Sequence, residues 1–194
     1  MKATIRLLLC TAVLSTPSFV SANSACDDLW FVRNQIFDQQ GFCFSTPLGM
    51  SIFDNSDCST NSTALSETDQ KRVADIVVME AEWGCNTDTS RNTLDIHSFE
   101  KRQRLTVQPL HDFTESSCIG YFGETIPLLD GPNDSAIQIG EITKGSDILS
   151  AHTRFSDELG EWWFVSQVTL NGTTLPDIGW TKDPLFGYCE ATAG

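Results

Sequence analysis

Residues 160–165 read Gly160-Glu161-Trp162-Trp163-Phe164-Val165. A glycine turn that opens onto aromatics and a valine is strand chemistry, because flat and β-branched side chains fit a pleated surface. Successive strand residues point to opposite faces. Trp162 and Trp163 therefore cannot share one core. One lies inside; the other packs under a loop or faces solvent, where it would stack on a ligand. The same grammar extends outward. From Leu105 on, helix signals vanish and short β-rich runs alternate with turn residues. The expected strands are 105–110, 118–122, 126–129, 136–142, 147–155, 162–170 and 179–181. They are punctuated by Asp130-Gly131-Pro132-Asn133-Asp134, Lys144-Gly145, Asn171-Gly172 and Asp183-Pro184. Short strands at regular spacing predict a small barrel or sandwich. The stretch 168–178 is longer than a usual hairpin connection and is expected to protrude.

Upstream, residues 24–86 are helical in pattern. Ser24 with Asp27 reads as a capping box, and Leu29, Val32, Ile36 and Phe37 recur at helical spacing until Gly41. Phe42, Cys43 and Phe44 read as a short extended piece that packs back. Thr46-Pro47 is a cap followed by a first-turn proline, starting a second helix through Phe53. Ser66 with Asp69 opens a third, with Val73, Ile76, Val77, Glu80 and Trp83 on one face and Gly84 as its stop. Residues 87–104 are polar and aperiodic, with sparse Leu94, Ile96 and Phe99, and read as a linker. Lys101, Arg102 and Arg104 form its basic cluster, which is expected to pair with the protein's own acidic surface.

At the N-terminus, Lys2 and Arg6 precede an apolar run from Leu7 to Leu14, and Val20-Ser21-Ala22 offers a cleavage site. This predicts a signal peptide over residues 1–22 and a periplasmic or secreted product. A lipoprotein would acylate Cys26, but Asn23 stands where a large aliphatic residue is expected. Export would remove two positive charges. The net charge of −14 would become −16, with 10 basic against 26 acidic residues remaining. So acidic a chain lacks the footprint of a nucleic-acid or anionic-lipid binder. No stretch suits a membrane span.

Export would also leave Cys26, Cys43, Cys58, Cys85, Cys118 and Cys189, an even set in an oxidising compartment. If each module closes its own bridges, the expected pairs are Cys26–Cys43, Cys58–Cys85 and Cys118–Cys189. Zinc is disfavoured because the cysteines are widely spaced and His97, His111 and His152 are scattered. Asp54-Asn55-Ser56-Asp57 lacks the glycine and terminal glutamate of a calcium loop. No metal or cofactor is expected. Asn61-Ser62-Thr63 and Asn171-Gly172-Thr173 match a glycosylation pattern by chance if the source is bacterial.

The run Arg33-Asn34-Gln35-Ile36-Phe37-Asp38-Gln39-Gln40-Gly41-Phe42-Cys43-Phe44 resembles the YARHG domain, a small extracytoplasmic bacterial module. Arg33, Asn34, Ile36, Phe37, Gly41, Phe42 and Phe44 match its signature, while Asp38-Gln39-Gln40 replaces the central Ala-Arg-His. Cys26-Asp27-Asp28-Leu29-Trp30 resembles a cysteine-bearing version of it. Downstream, the order of 126–132, Ile139-Gly140-Glu141-Ile142, Lys144-Gly145, Trp162-Trp163-Phe164-Val165 and Gly179-Trp180-Thr181 is similar to a bacterial SH3-like domain, a small five-stranded barrel, over residues 124–186. That resemblance implies a groove that meets cell-wall peptides or other extended ligands.

The expected architecture is α+β: a signal peptide, a disulfide-bonded helical module over 23–86, a linker over 87–104 and an SH3-like small β-barrel over 105–191. The expected function is a non-catalytic binding or adaptor protein of the cell envelope. It would recognise a peptide, peptidoglycan or a protein partner through Trp162, Trp163, Trp180 and Tyr188, with Arg33 and Asn34 as a second candidate pair. The plainer expectation for that pair is that Arg33 meets an acidic residue and Asn34 bonds a loop carbonyl. One alternative is an acidic inhibitor or immunity-type protein steered to a basic partner. A second is an envelope hydrolase. Asp157, Glu158 and Glu161 cluster in sequence but read as turn-solvating carboxylates, and no nucleophile elbow or His-Glu-x-x-His motif is present.

Overall fold

The structure, a computed structural model, describes residues 22–96, 98–152, 155–157, 160–168, 176–182 and 185–194. All but the last residue of the expected signal peptide, the centre of the expected 168–178 loop, the Asn171-Gly172 and Asp183-Pro184 turns and the carboxylate Glu158 lie outside the described residues. Among the described residues no helix is long and apolar enough to cross a membrane.

Helix α1 spans Ala22–Asp38, α2 Pro47–Ile52 and α3 Glu67–Glu82. The start of α1 differs from expectation. Ser24 lies inside the helix rather than capping it. The Asp27 carboxylate instead accepts the Asp95 N–H at 2.7 Å and pairs with Arg91. The other boundaries follow from local chemistry. Thr46 Oγ1 accepts the Gly49 N–H at 3.2 Å, and Ser66 Oγ accepts the Asp69 N–H at 3.1 Å, each satisfying an orphan helix donor. Gly84 ends α3 at φ +65°, the left-handed backbone that stops a helix. Leu29, Val32 and Ile36 of α1 bury against Ile76 of α3. Val77, expected on that face, is exposed.

Helices α1 and α3 run antiparallel, with Arg33 bonded to Glu80 and the start of α1 beside the end of α3. This corrects two expected disulfides. Cys26 bonds Cys85, with Cα atoms 5.3 Å apart, and Cys43 bonds Cys58, at 5.0 Å. The second bridge follows from the backbone contact between Phe42 and Thr60, where the Cys43 N–H donates to the Thr60 carbonyl at 2.8 Å. Cys118–Cys189 forms as expected.

The stretch expected as a linker is packed. It carries a short helix α4, Phe99–Arg102. Leu94, Ile96 and Phe99 lie against an aromatic cluster of Trp30, Phe31, Phe44, Leu48, Ile52 and Phe53. Its sparse apolar residues complete a core that the helices leave open.

The C-terminal part is an antiparallel sheet built from β1 (His111–Tyr121), β2 (Ile126–Leu129), β3 (Gln138–Ile142), β4 (Asp147–His152), β5 (Phe155–Asp157), β6 (Gly160–Val168), β7 (Ile178–Thr181) and β8 (Cys189–Ala193). Seven strands follow the order β3-β2-β7-β6-β4-β1-β8, and β5 pairs with β6 off this path. The path is not closed: β3 and β8 are its two ends. Residues 105–110 are not a strand, because their polar groups bond loops and side chains instead. The Thr106 N–H donates to the Asp130 carbonyl at 2.8 Å, for example. Strand β8 was not expected, since Cys-Glu-Ala-Thr-Ala is poor in β-branched and aromatic residues.

Candidate functional site

Strand β6 resolves the tryptophan pair by having both faces covered. Trp162 and Phe164 join Leu105, Ile178 and Trp180 in one cluster. Val165 joins Cys118, Tyr121, Ile126, Leu128, Ile142, Ile148 and Leu185 in the other, with Trp163 packed against it. Trp162 and Trp180 are each only 2 % exposed, so neither presents a ring to solvent. Lys182 caps Trp162, its ammonium 4.4 Å from the ring centroid, while also bonding Asp134 at 2.7 Å. Trp180 Nε1 donates to the Val107 carbonyl at 2.9 Å, which ties β7 to the segment before β1. Trp163 is half-buried.

Tyr188 alone of the four expected aromatics is well exposed, at 47 %, in a 3-10 turn Phe186–Tyr188 that leads into β8. Phe122, 46 % exposed, stands edge-on to it with ring centroids 6.1 Å apart, and Ile119 is also exposed. Sequence reading missed both neighbours. The signal that points to them is Gly120, since a glycine inside a strand pattern marks an irregularity. Gly120 adopts φ +62° and breaks the alternation of β1. Cys118 and Tyr121 both turn inward, while Ile119 and Phe122 both turn outward. A β-carbon at position 120 would come within 2.8 Å of the Glu190 carboxyl carbon. The aromatic pair is held on rigid backbone: the Phe122 N–H donates to the Tyr188 carbonyl at 2.8 Å, and Cys118–Cys189 joins β1 to β8. The Glu190 carboxyl group lies over Gly120, and the Asp147 carboxylate accepts the Gly120 N–H at 2.8 Å.

Arg33 and Asn34 lie apart from this surface, on α1. Arg33 Nε bonds Glu80 at 3.1 Å, and Asn34 Nδ2 donates to the Trp30 carbonyl at 2.7 Å. Arg33 thus meets the expected acidic partner; Asn34 bonds a helix carbonyl instead of a loop one. The basic cluster is largely turned inward. Lys101 pairs with Asp177 at 2.5 Å, and the buried Arg102 pairs with Asp28 at 2.7 Å. Arg102 also donates to Gln108 Oε1 at 2.7 Å and lies 5.8 Å from the Phe164 ring centroid. It therefore touches α1, the 105–110 segment and β6 at once. Arg72 of α3 donates to the Gln108 carbonyl, and burial lowers its pKa from the free value.

The acidic stretch 54–57 is engaged in its own backbone. Asn55 bonds both the N–H and the C=O of Phe44. Ser56 donates backbone and side-chain hydrogen bonds to Asp54, which lowers the Asp54 pKa. Asp38 is pushed the other way, first by burial and then by the charges of Asp57 and Asp54.

Comparison with protein families gives two matches along the chain. Residues 7–81 match the YARHG domain, in agreement with the signature around Arg33-Asn34 and Gly41-Phe42. Residues 84–194, more than half of the chain, match a domain of unknown function, DUF4453. The chain belongs to the DUF4453 family. The DUF4453 region starts at Gly84, where α3 stops, so it takes in the packed stretch 87–104 together with the sheet. The exposed aromatic pair lies wholly within it. No curated protein and no solved structure matches the chain.

Proposed function

We propose that this protein is an exported, non-catalytic binding protein of the cell envelope that recognises a peptide, peptidoglycan or protein partner. The observation that carries the reading is the exposed Phe122–Tyr188 pair on a covalently braced sheet end, in a β part whose tryptophans are covered. Aromatic rings give contact area at small entropic cost when their backbone is already fixed. Three disulfides are compatible with an oxidising compartment, and the YARHG match is compatible with secretion. The finer architectural reading, an SH3-like small barrel over residues 124–186, draws support from β2 pairing with both β3 and β7 and from the adjacent β4 and β6.

The acidic-inhibitor reading is favoured by one feature: the Glu190 carboxylate over Gly120, on the strand that follows Tyr188. The test uses the protein from residue 23 onward. Tyr188→Ala and Phe122→Ala are expected to change Tm little and to lower retention of a partner captured from envelope extract at least tenfold. Unchanged retention in both variants would overturn the aromatic surface. Steep weakening by salt would select the inhibitor reading over wall recognition.

A further inference from the structure

We infer that the free edge of β8 is a docking strand for an extended, basic polypeptide segment, a deepening that rests on the aromatic surface proposed above. β8 ends the strand path, and among the described residues its outer edge pairs with nothing. Edge strands are normally protected by lysine, proline, a bulge or a covering segment. The β8 residues Cys189-Glu190-Ala191-Thr192-Ala193 carry no lysine or proline, and 190–193 are exposed. By contrast β3, the other end of the path, has a register irregularity against β2.

The backbone alternation shows what the edge offers. The Tyr188 carbonyl faces β1, since it accepts the Phe122 N–H. In an antiparallel ladder every second residue faces the same way. Gly120 shifts that alternation, because its own N–H goes to Asp147; beyond it Ser117 Oγ donates to the Ala193 carbonyl, so Ala191 and Ala193 face β1 and Thr192 presents its N–H and C=O groups to the open side. These groups are fixed before any partner arrives, because β8 is paired to β1 from Tyr121↔Cys189 to Ser117↔Ala193 and the Cys118–Cys189 bond holds the same two strands. A strand added here gains main-chain hydrogen bonds without ordering the host.

Charge decides the occupant. The charged residues at the edge are Glu190 of β8 and the exposed Glu115 of β1 beside the end of β8, with Asp147 behind Gly120 and Lys144 in the neighbouring β3–β4 turn. The whole chain carries −14. A second copy would bring the same carboxylates against these. A segment bearing Lys or Arg meets complementary charge, and its cations can stack on the Phe122 and Tyr188 rings where β8 begins.

The probe is a synthetic peptide of about eight residues alternating lysine and valine, long enough to span a strand of this size. It is titrated into ¹⁵N-labelled protein from residue 23 onward. Amide shifts at 188–193, slowed exchange of the Thr192 amide and at least tenfold weaker binding of a peptide N-methylated along one edge would support strand addition. Thr192→Pro, which removes an outward N–H, should weaken binding by a similar factor while leaving the Phe122 and Tyr188 signals in place. No shift along β8, or equal binding of the N-methylated peptide, would overturn the inference. If partner capture still depended on Tyr188 in that case, the aromatic reading would stand alone. Concentration-dependent dimerisation that shifts the same amides without peptide would overturn the basic-segment assignment in favour of a second copy.

Discussion

At the residue scale, single side chains are set by what surrounds them more than by their type. Asp38 shows this. Burial, followed by Asp57 and Asp54, raises its pKa above the value of 3.8 that applies in an open chain. The native state then holds its proton to higher pH than the unfolded state. Stability contributed at this site is intact below that unfolded value and falls as pH rises through the native one. At neutral pH the penalty is fully present. Asp38→Asn should therefore raise Tm by about 1–2 °C at pH 7 and change it little near pH 3, as thermal unfolding at the two pH values would show. A gain at low pH alone would contradict this environment for Asp38. The same dependence on surroundings governs the tryptophans. Trp162 and Trp163 have one chemistry, yet Lys182 and Leu105 cover the first and the opposite core takes the second.

At the element scale, local signals held where a hydrogen bond closes within a few residues. The Thr46 and Ser66 caps and the Gly84 stop are of this kind. They failed where a distant partner supplies the bond, as at Asp27, whose carboxylate serves Asp95 and Arg91 rather than its own helix end. The disulfides belong to the same class, because a pairing depends on how helices pack and not on cysteine spacing. Their sequence separations of 59 for Cys26–Cys85 and 15 for Cys43–Cys58 rank their effects. Loop-closure entropy gives about 4 and about 3 kcal/mol respectively. Replacing Cys26 and Cys85 by alanine should lower denaturant stability more than replacing Cys43 and Cys58. Peptide mapping of unreduced protein should recover both linkages. A Cys26–Cys43 peptide would refute the antiparallel α1–α3 arrangement.

At the scale of the whole molecule, the helical and β parts are stitched through residues 87–110. Arg102 is the centre of that seam, ion-paired with Asp28 of α1, bonded to Gln108 and lying against Phe164 of β6. Arg102→Met would leave the Asp28 carboxylate buried without its cation. Such removals cost roughly 3–5 kcal/mol. The double variant with Asp28→Asn should recover part of that loss, because the two changes remove one interaction. Urea titration of the four proteins measures this cycle. Simple additivity would show that Asp28 and Arg102 are not coupled. Because the seam is continuous, unfolding should remain a single transition by both fluorescence and circular dichroism.

What the amino-acid order determined alone was the class of each half, the three helices of the first and most strands of the second. These rest on period, caps and turns, which act over a few residues. The tertiary structure decided which tryptophans are covered, how the first four cysteines pair, that the sparse apolar residues after Gly84 pack onto a core, and that Phe122 joins Tyr188 on the surface. Each of these depends on groups far apart in the chain meeting in space. The left-handed backbone at Gly120 joins the two scales: the glycine is visible in the sequence, but only the packed sheet shows which side chains it turns outward.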